Sequence, residues 1–331
     1  MNRPGKNKFS SLYERERKKI DMRLENILKK RSPKSLYDPG AYIINSKGKR
    51  IRPLLVLLSA KAVGGKFNDV YNAAVAVELL HNFTLVHDDI MDNADKRRGR
   101  LTLHKKYNNN TAILVGDSLL SVAYEYLLKD CDSNAKYVIS SFTRGLVEVC
   151  EGQSLDTDFE QRKNVSLNEY IIMIKKKTAA LAKTCCEIGA SIGGGSREEI
   201  KALASYGTNL GIAFQIQDDL LDITADEEKF GKKIGGDLIE GKKTYLLIKA
   251  LEKAKSDDRK ILSEVIDNKG IKPQNVKSYK LLFEQLGVIE SAKKAIDSYT
   301  RKAIKSLSLI KKKEDKELLT WFAYILLNRN R

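Results

Sequence analysis

Three aspartates recur twice at the same spacing in this chain, as Asp88-Asp89-Ile90-Met91-Asp92 and Asp218-Asp219-Leu220-Leu221-Asp222. The second copy follows the first by 130 residues. On a helix, positions i and i+4 lie one above the other on a single face. Asp88 with Asp92, and Asp218 with Asp222, therefore each predict an acidic pincer. Carboxylate oxygens in such pairs suit Mg²⁺, which keeps several waters and shares its remaining positions with substrate phosphates. Two facing pincers describe a cage that holds a diphosphate through metal ions. A single DDxxD is more often a solvated helix face. Here each copy interrupts an apolar run, after Phe83-Thr84-Leu85-Val86 and after Ile212-Ala213-Phe214. Carboxylates are costly there unless paired or metal-bound.

A second anionic substrate beside the cage needs cations from the protein. Lys49, Arg50 and Arg52 lie in a tight segment between Gly48 and Pro53, and Arg97-Arg98-Gly99 follows the first pincer closely. Arg suits bidentate phosphate contacts, whereas Lys acts as a point charge. All three histidines, His81, His87 and His104, surround the first motif. Their spacing lacks the second short ligand pair of a zinc site. His81 stands seven residues before Asp88, shares its face and is placed to donate to an anion. His87 and His104 are expected in structural hydrogen bonds. Gly236 to Lys243 approaches a phosphate-binding P-loop, but ends in Lys where Ser or Thr is required.

The elements that must position these groups read as helices. The five prolines are Pro4, Pro33, Pro39, Pro53 and Pro273, so the long stretch between the last two has none. Helix interiors tolerate proline badly. Asp69 to Asp89, Asn110 to Lys129, Leu167 to Ile192 and Arg197 to Thr224 carry apolar residues at three- and four-residue spacing. Ala112 to Leu128 is apolar on most sides, which predicts burial among helices or in a subunit contact. Asn93 to Gly99 and Asp226 to Lys243 read as polar, glycine-broken loops. The fold expectation is all-α, a single-domain many-helix bundle.

The 331 residues carry a net charge of +17. Residues 1–32 hold eleven Lys/Arg against four Asp/Glu and read as a basic helix or arm, with a capping box at Ser11 and Glu14. The basic runs are not interleaved with stacking aromatics, so a solvated face is favoured over nucleic-acid binding. Cys131, Cys150, Cys185 and Cys186 match no metal site and read as mostly buried thiols of a reducing compartment. The basic N-terminus lacks the apolar core of a signal peptide, and no apolar run reaches the ~20 residues of a membrane span. The expectation is a cytoplasmic protein with no stable membrane insertion.

These motifs together resemble the trans-isoprenyl diphosphate synthases, the polyprenyl synthetase family. The resemblance runs through GKRIRP at 48–53, ELLHNFTLVHDDIMD at 78–92, RRGRLTLH at 97–104, GD at 116–117 and EGQSLD at 151–156. It continues through KT at 177–178, FQIQDDLLD at 214–222 and GKKIGGDLIEGKKT at 231–244. It implies one isoprenyl synthase domain over residues 1–331, a central cavity, a homodimer and three Mg²⁺ ions. On this resemblance Asp88, Asp92, Asp218 and Asp222 hold metal, and Arg97, Lys177, Lys232 and Lys242 bind an allylic diphosphate. Lys49, Arg52, His81 and Arg98 bind isopentenyl diphosphate. Thr178 and Gln215 support the allylic cation, with Lys177 and Lys242 assisting catalysis, and Arg329 helps close the site. Phe83, with Thr84, sets product length, Phe83 acting as the floor of a tunnel. Geranylgeranyl diphosphate is the implied product, with farnesyl or longer chains as alternatives. A terpene cyclase would lack the isopentenyl-diphosphate cations, and an inactive partner subunit would lack motif residues that are all present here.

Overall fold

A computed structural model describes residues 4–46, 48–132, 134–225 and 234–327, with side chains from Lys8 onward. The chain runs through α1 (Pro4–Ile27), α2 (Lys34–Ile44), α3 (Ile51–Ala62) and α4 (Tyr71–Met91). A hairpin of β1 (Lys96–Arg97) and β2 (Arg100–Leu101) leads to α5 (Leu103–Lys106), α6 (Asn109–Leu128) and α7 (Ala135–Gln161). Next come α8 (Leu167–Ile174), α9 (Ala180–Ile192), α10 (Arg197–Thr224), α11 (Gly236–Ile239) and α12 (Tyr245–Lys253). The series closes with α13 (Ser256–Asp267), α14 (Val276–Gln285), α15 (Val288–Ser306) and α16 (Lys313–Leu327). Among the described residues the hairpin is the only sheet, so the fold is all-α as expected. Backbone contacts group the chain into two compact units. One comprises 1–146, 184–204 and 309–321; the other comprises 147–183, 205–308 and 322–331.

In the first unit α4 is the core helix. Ala73 through Leu80 are all buried, apolar except for Glu78, whose carboxylate is paired with Arg50. It packs against α3 and α6. α1 contributes a stripe, Phe9, Ile20, Leu24 and Ile27, at helical spacing. Ser11 and Glu14 fall inside α1 rather than at its start, so the expected capping box does not form. Glu14 instead pairs with Arg17 at 2.6 Å. α6 corrects another expectation, since its 20 residues are long and apolar enough to cross a membrane. It packs on α2, α4 and α5, yet Ile113, Leu114 and Leu128 stay exposed.

In the second unit α12 packs against α8, α13 and α15. α15 turns Val288, Ala292, Ile296 and Ala303 inward and Lys293, Lys294, Arg301, Lys302 and Lys305 outward. This solvated face accounts for part of the positive charge. The expected helix from Leu167 to Ile192 is interrupted by a π turn, Lys175–Ala179. None of the four cysteines is in a disulfide; Cys185 and Cys186 are buried, Cys131 is half-buried and Cys150 is exposed. Burial pushes the Cys131 thiol up to about 11 and Cys186 to about 12, so neither is a reactive thiolate.

Candidate active site

The first acidic motif closes α4. Asp88 is half-buried, and Asp92 caps the helix and is exposed. Asp89 between them is buried and accepts a hydrogen bond from Arg97 Nε at 2.6 Å. Burial pushes its carboxyl up while Arg97 pulls it down. Arg97 is delivered by a hairpin, where a polar loop is expected from the sequence. Its turn, Arg98-Gly99, has φ of 53° and 76°, the doubly positive pattern of a two-residue hairpin turn. Gly99 suits that geometry without strain, whereas Arg98 is held in it. Tyr42 Oη donates to the Leu101 carbonyl at 3.0 Å and fixes the second strand.

Other predicted cations gather in this unit. Arg52 Nη1 lies 3.1 Å from His81 Nε2. An arginine only donates, so Nε2 is the acceptor and His81 is neutral, with its proton on Nδ1. Burial, then the charges of Arg52, Arg98, Arg97 and Arg50, hold the imidazole well below its usual range. Donation to an anion, the expected role, therefore falls to Nδ1. Gly48 stands against Arg98: a Cβ there would be 3.0 Å from Arg98 Nη1. Lys49 is exposed. Arg50, grouped with Lys49 and Arg52 in the sequence, is only 4% exposed and turns inward to Asp21 and Glu78, both at 2.7 Å.

The structural hydrogen bonds expected of His104 do not form, and none forms at His87 Nε2, which lies 3.8 Å from Asp117 Oδ1. Among the described residues His87 Nε2 and both His104 ring nitrogens have no hydrogen-bond partner. The His87 ring also packs at a tilt of 57° against Phe83, with centroids 4.6 Å apart, and fills the space left by Gly116. A Cβ at 116 would meet His87 Nε2 at 2.4 Å, which explains why glycine stands in the Gly116-Asp117 pair. Phe83 is buried, and Thr84 Oγ1 donates to the His81 carbonyl at 2.8 Å.

In the second unit the middle aspartate again turns inward. Asp219 is 5% exposed and accepts from Tyr170 Oη at 2.5 Å, Gln215 Nε2 at 3.0 Å and the Tyr245 N–H at 3.0 Å. Burial raises its carboxyl to about 6, against those three bonds. Asp218 and Asp222 flank it, half-buried. Thr178 Oγ1 donates to Gln215 Oε1 at 2.8 Å, so the Gln215 amide is fixed at both ends. Lys177 and Thr178 ride on the π turn, a geometry frequent at functional sites. Gly152 of α7 makes that turn fit: a Cβ there would lie 2.1 Å from the Lys177 backbone nitrogen.

A cleft of about 150 Å³ is lined by Asp156, Lys177, Thr178, Gln215, Asp237 and Lys242, among others. Lys177 Nζ contacts Asp156 Oδ2 at 2.5 Å, and Lys242 Nζ contacts Glu240 Oε2 at 2.7 Å. Lys232 and Arg329 lie outside the described residues.

Asp156, Asp237 and Tyr170 line this cleft, and sequence reasoning does not single them out. The first stands at the end of EGQSLD and the second follows Gly235-Gly236, so both lay inside quoted motifs; nothing in the sequence marked Tyr170. Asp237 donates its N–H to Asp222 Oδ2 at 3.1 Å, and burial with the charges of Asp222 and Asp219 pushes its carboxyl well up. Mutually repelling oxygen donors of this kind fit a divalent cation. Among the described residues no three ligating side chains already converge on one point.

Residues 33–283 match the family model for polyprenyl synthetase. The chain belongs to the polyprenyl synthetase family. It is 40% identical over 310 residues to the short chain isoprenyl diphosphate synthase of Methanothermobacter thermautotrophicus, covering 93% of this chain and 95% of that one. The geranylgeranyl pyrophosphate synthetase structure from Pyrococcus horikoshii superposes with a TM-score of 0.90 at 36% identity, over 97% and 98% of the two chains. The geranylgeranyl pyrophosphate synthase of Corynebacterium glutamicum, solved with isoprenyl diphosphate and magnesium, gives a TM-score of 0.87 at 27% identity, over 95% and 98%. This family member is a trans-prenyltransferase.

Proposed function

We propose that the enzyme condenses isopentenyl diphosphate head-to-tail with an allylic diphosphate and yields geranylgeranyl diphosphate. The observation that supports this reading is the shared inward turn of Asp89 and Asp219, which argues for a metal-binding role of the outer pairs Asp88/Asp92 and Asp218/Asp222. These four carboxylates would hold Mg²⁺, three ions by family resemblance, whose charge stabilises the departing diphosphate. Arg97, Lys177, Lys232 and Lys242 bind the allylic diphosphate and are a ready counter-charge as its C–O bond breaks. Thr178 Oγ and Gln215 Oε1, locked together by their hydrogen bond, present oxygen dipoles to the allylic cation. Lys49, Arg52, His81 and Arg98 hold isopentenyl diphosphate so that its double bond attacks that cation. Proton loss to the released diphosphate completes the turnover, with no side-chain nucleophile.

The whole chain acts as one synthase domain in a cytoplasmic homodimer, without a nucleic-acid partner or stable membrane insertion. The exposed Ile113, Leu114 and Leu128 of α6 suit a subunit contact. Incubation with labelled isopentenyl diphosphate, an allylic primer and Mg²⁺ should give a C20 diphosphate. Farnesyl diphosphate, or a longer chain, as the main product would correct the length. A cyclised hydrocarbon, or no condensation at all, would overturn the reading.

A further inference from the structure

The basic N-terminal helix has no part in the chemistry above, yet two of its side chains reach the segment that carries Lys49 and Arg52. Tyr13 Oη donates to the Lys49 carbonyl at 2.7 Å. Asp21 Oδ1 accepts from Arg50 Nε at 2.7 Å. Arg50 is the residue on which this segment turns. Its φ of 49° is left-handed, an arrangement a non-glycine residue keeps only when its surroundings over-determine it. They do so here. Besides Asp21, the guanidinium donates to Glu78 at 2.7 Å and to the carbonyls of Ile44 at 3.0 Å and Ser46 at 2.8 Å. Four acceptors take up an arginine that has five N–H groups. Two carboxylates neutralise its charge, so Arg50 is no anion ligand, although it stands between two residues that are.

α1 is itself anchored. Phe9 and Tyr13 pack on Trp321, at 5.9 and 6.3 Å between centroids, and Lys8 pairs with Glu314 at 2.7 Å. Buried Glu16 accepts from Tyr71 Oη at 2.5 Å, and Arg23 lies over the Tyr71 ring at 4.1 Å. A helix fixed at both halves is a rigid brace rather than a loose arm.

We propose that Tyr13, Asp21, Arg50 and Glu78 are positioning residues. They hold the backbone from Ser46 to Arg52 so that Lys49 and Arg52 meet the diphosphate of the non-allylic substrate. The inference deepens the proposed function and rests on its assignment of Lys49 and Arg52 to isopentenyl diphosphate.

The test is steady-state kinetics on the full-length chain, with each substrate varied in turn. Tyr13→Phe removes one hydrogen bond and should raise the KM for isopentenyl diphosphate by about two- to tenfold. Asp21→Ala removes a charged bond and should raise it by about tenfold or more. The KM for the allylic diphosphate should stay within about twofold, which a general loss of structure would not give. Asp21→Glu, which keeps a carboxylate for Arg50, should bring the KM back towards the parent value. Lys49→Ala and Arg52→Ala are measured in parallel. If they raise the isopentenyl diphosphate KM while folded Tyr13→Phe and Asp21→Ala leave it unchanged, or shift both KM values equally, the brace is overturned and the site assignment stands. If they do not raise it, both fall together. Should Asp21→Ala fail to fold, Tyr13→Phe decides alone.

Discussion

Arg97 Nε lies 2.6 Å from Asp89 Oδ1, and this pair divides the labour within the first acidic motif. Asp89 spends its carboxylate on an arginine supplied by the hairpin, while Asp88 and Asp92 flank it on the helix. Asp88→Ala and Asp92→Ala should each lower turnover by at least about a hundredfold, the scale of losing a main electrostatic stabiliser. Asp218→Ala should do the same. Asp89→Ala should act mainly on the allylic diphosphate, raising its KM by about tenfold or more as Arg97 loses its charged partner. EDTA should abolish turnover and Mg²⁺ restore it. Full activity in a metal-free preparation would end the metal-cage mechanism.

The two anion subsites should separate by mutation. Lys49→Ala and Arg52→Ala are expected to raise the KM for isopentenyl diphosphate, and Lys242→Ala the KM for the allylic diphosphate. Equal effects of all three on both substrates would contradict the assignment.

Gly152 offers a packing test of the π turn. A Cβ placed 2.1 Å from the Lys177 nitrogen must push Lys177 and Thr178 aside. Gly152→Ala should therefore cost about 1–3 kcal/mol of stability in urea unfolding. Turnover should fall by more than this destabilisation removes folded enzyme. A variant with native stability and native turnover would show that the turn yields freely.

His81 predicts how stability depends on pH. Its folded-state pKa is depressed well below the usual 6.5, so the unfolded chain binds the extra proton first. Its contribution is full above about pH 6.5 and is lost as the pH falls below that. His81→Gln keeps an acceptor for Arg52 but does not titrate. Urea midpoints between pH 7 and 5 should fall less steeply in this variant than in the parent, and parallel slopes would refute the point.

Product length should respond at Phe83, buried on α4 five residues before Asp88 and packed against the His87 ring. If Phe83 is the tunnel floor, Phe83→Ser should shift the product to C25 or longer with condensation retained. Thin-layer chromatography reads the result. An unchanged chain length in an active enzyme would move the floor to Leu80 or to α6.

The sequence by itself determined the all-α class, the boundaries of α10, and the i, i+4 pairing of the aspartates, because helical periodicity and ligand spacing are local properties of the chain. It also placed the acidic and basic motifs in an order specific to one family. It did not show which aspartate of each triplet is buried, that Arg50 faces inward while Arg52 meets His81, or that Lys177 and Thr178 ride on a π turn. Those outcomes depend on groups outside each motif, brought in by a hairpin or by folding: Arg97 for Asp89, Tyr170 and Tyr245 for Asp219, Asp21 and Glu78 for Arg50, Gly152 for the turn. Adjacent residues of one chemical type look alike in a sequence. Burial and the partner that compensates it make them different, and only tertiary packing supplies both.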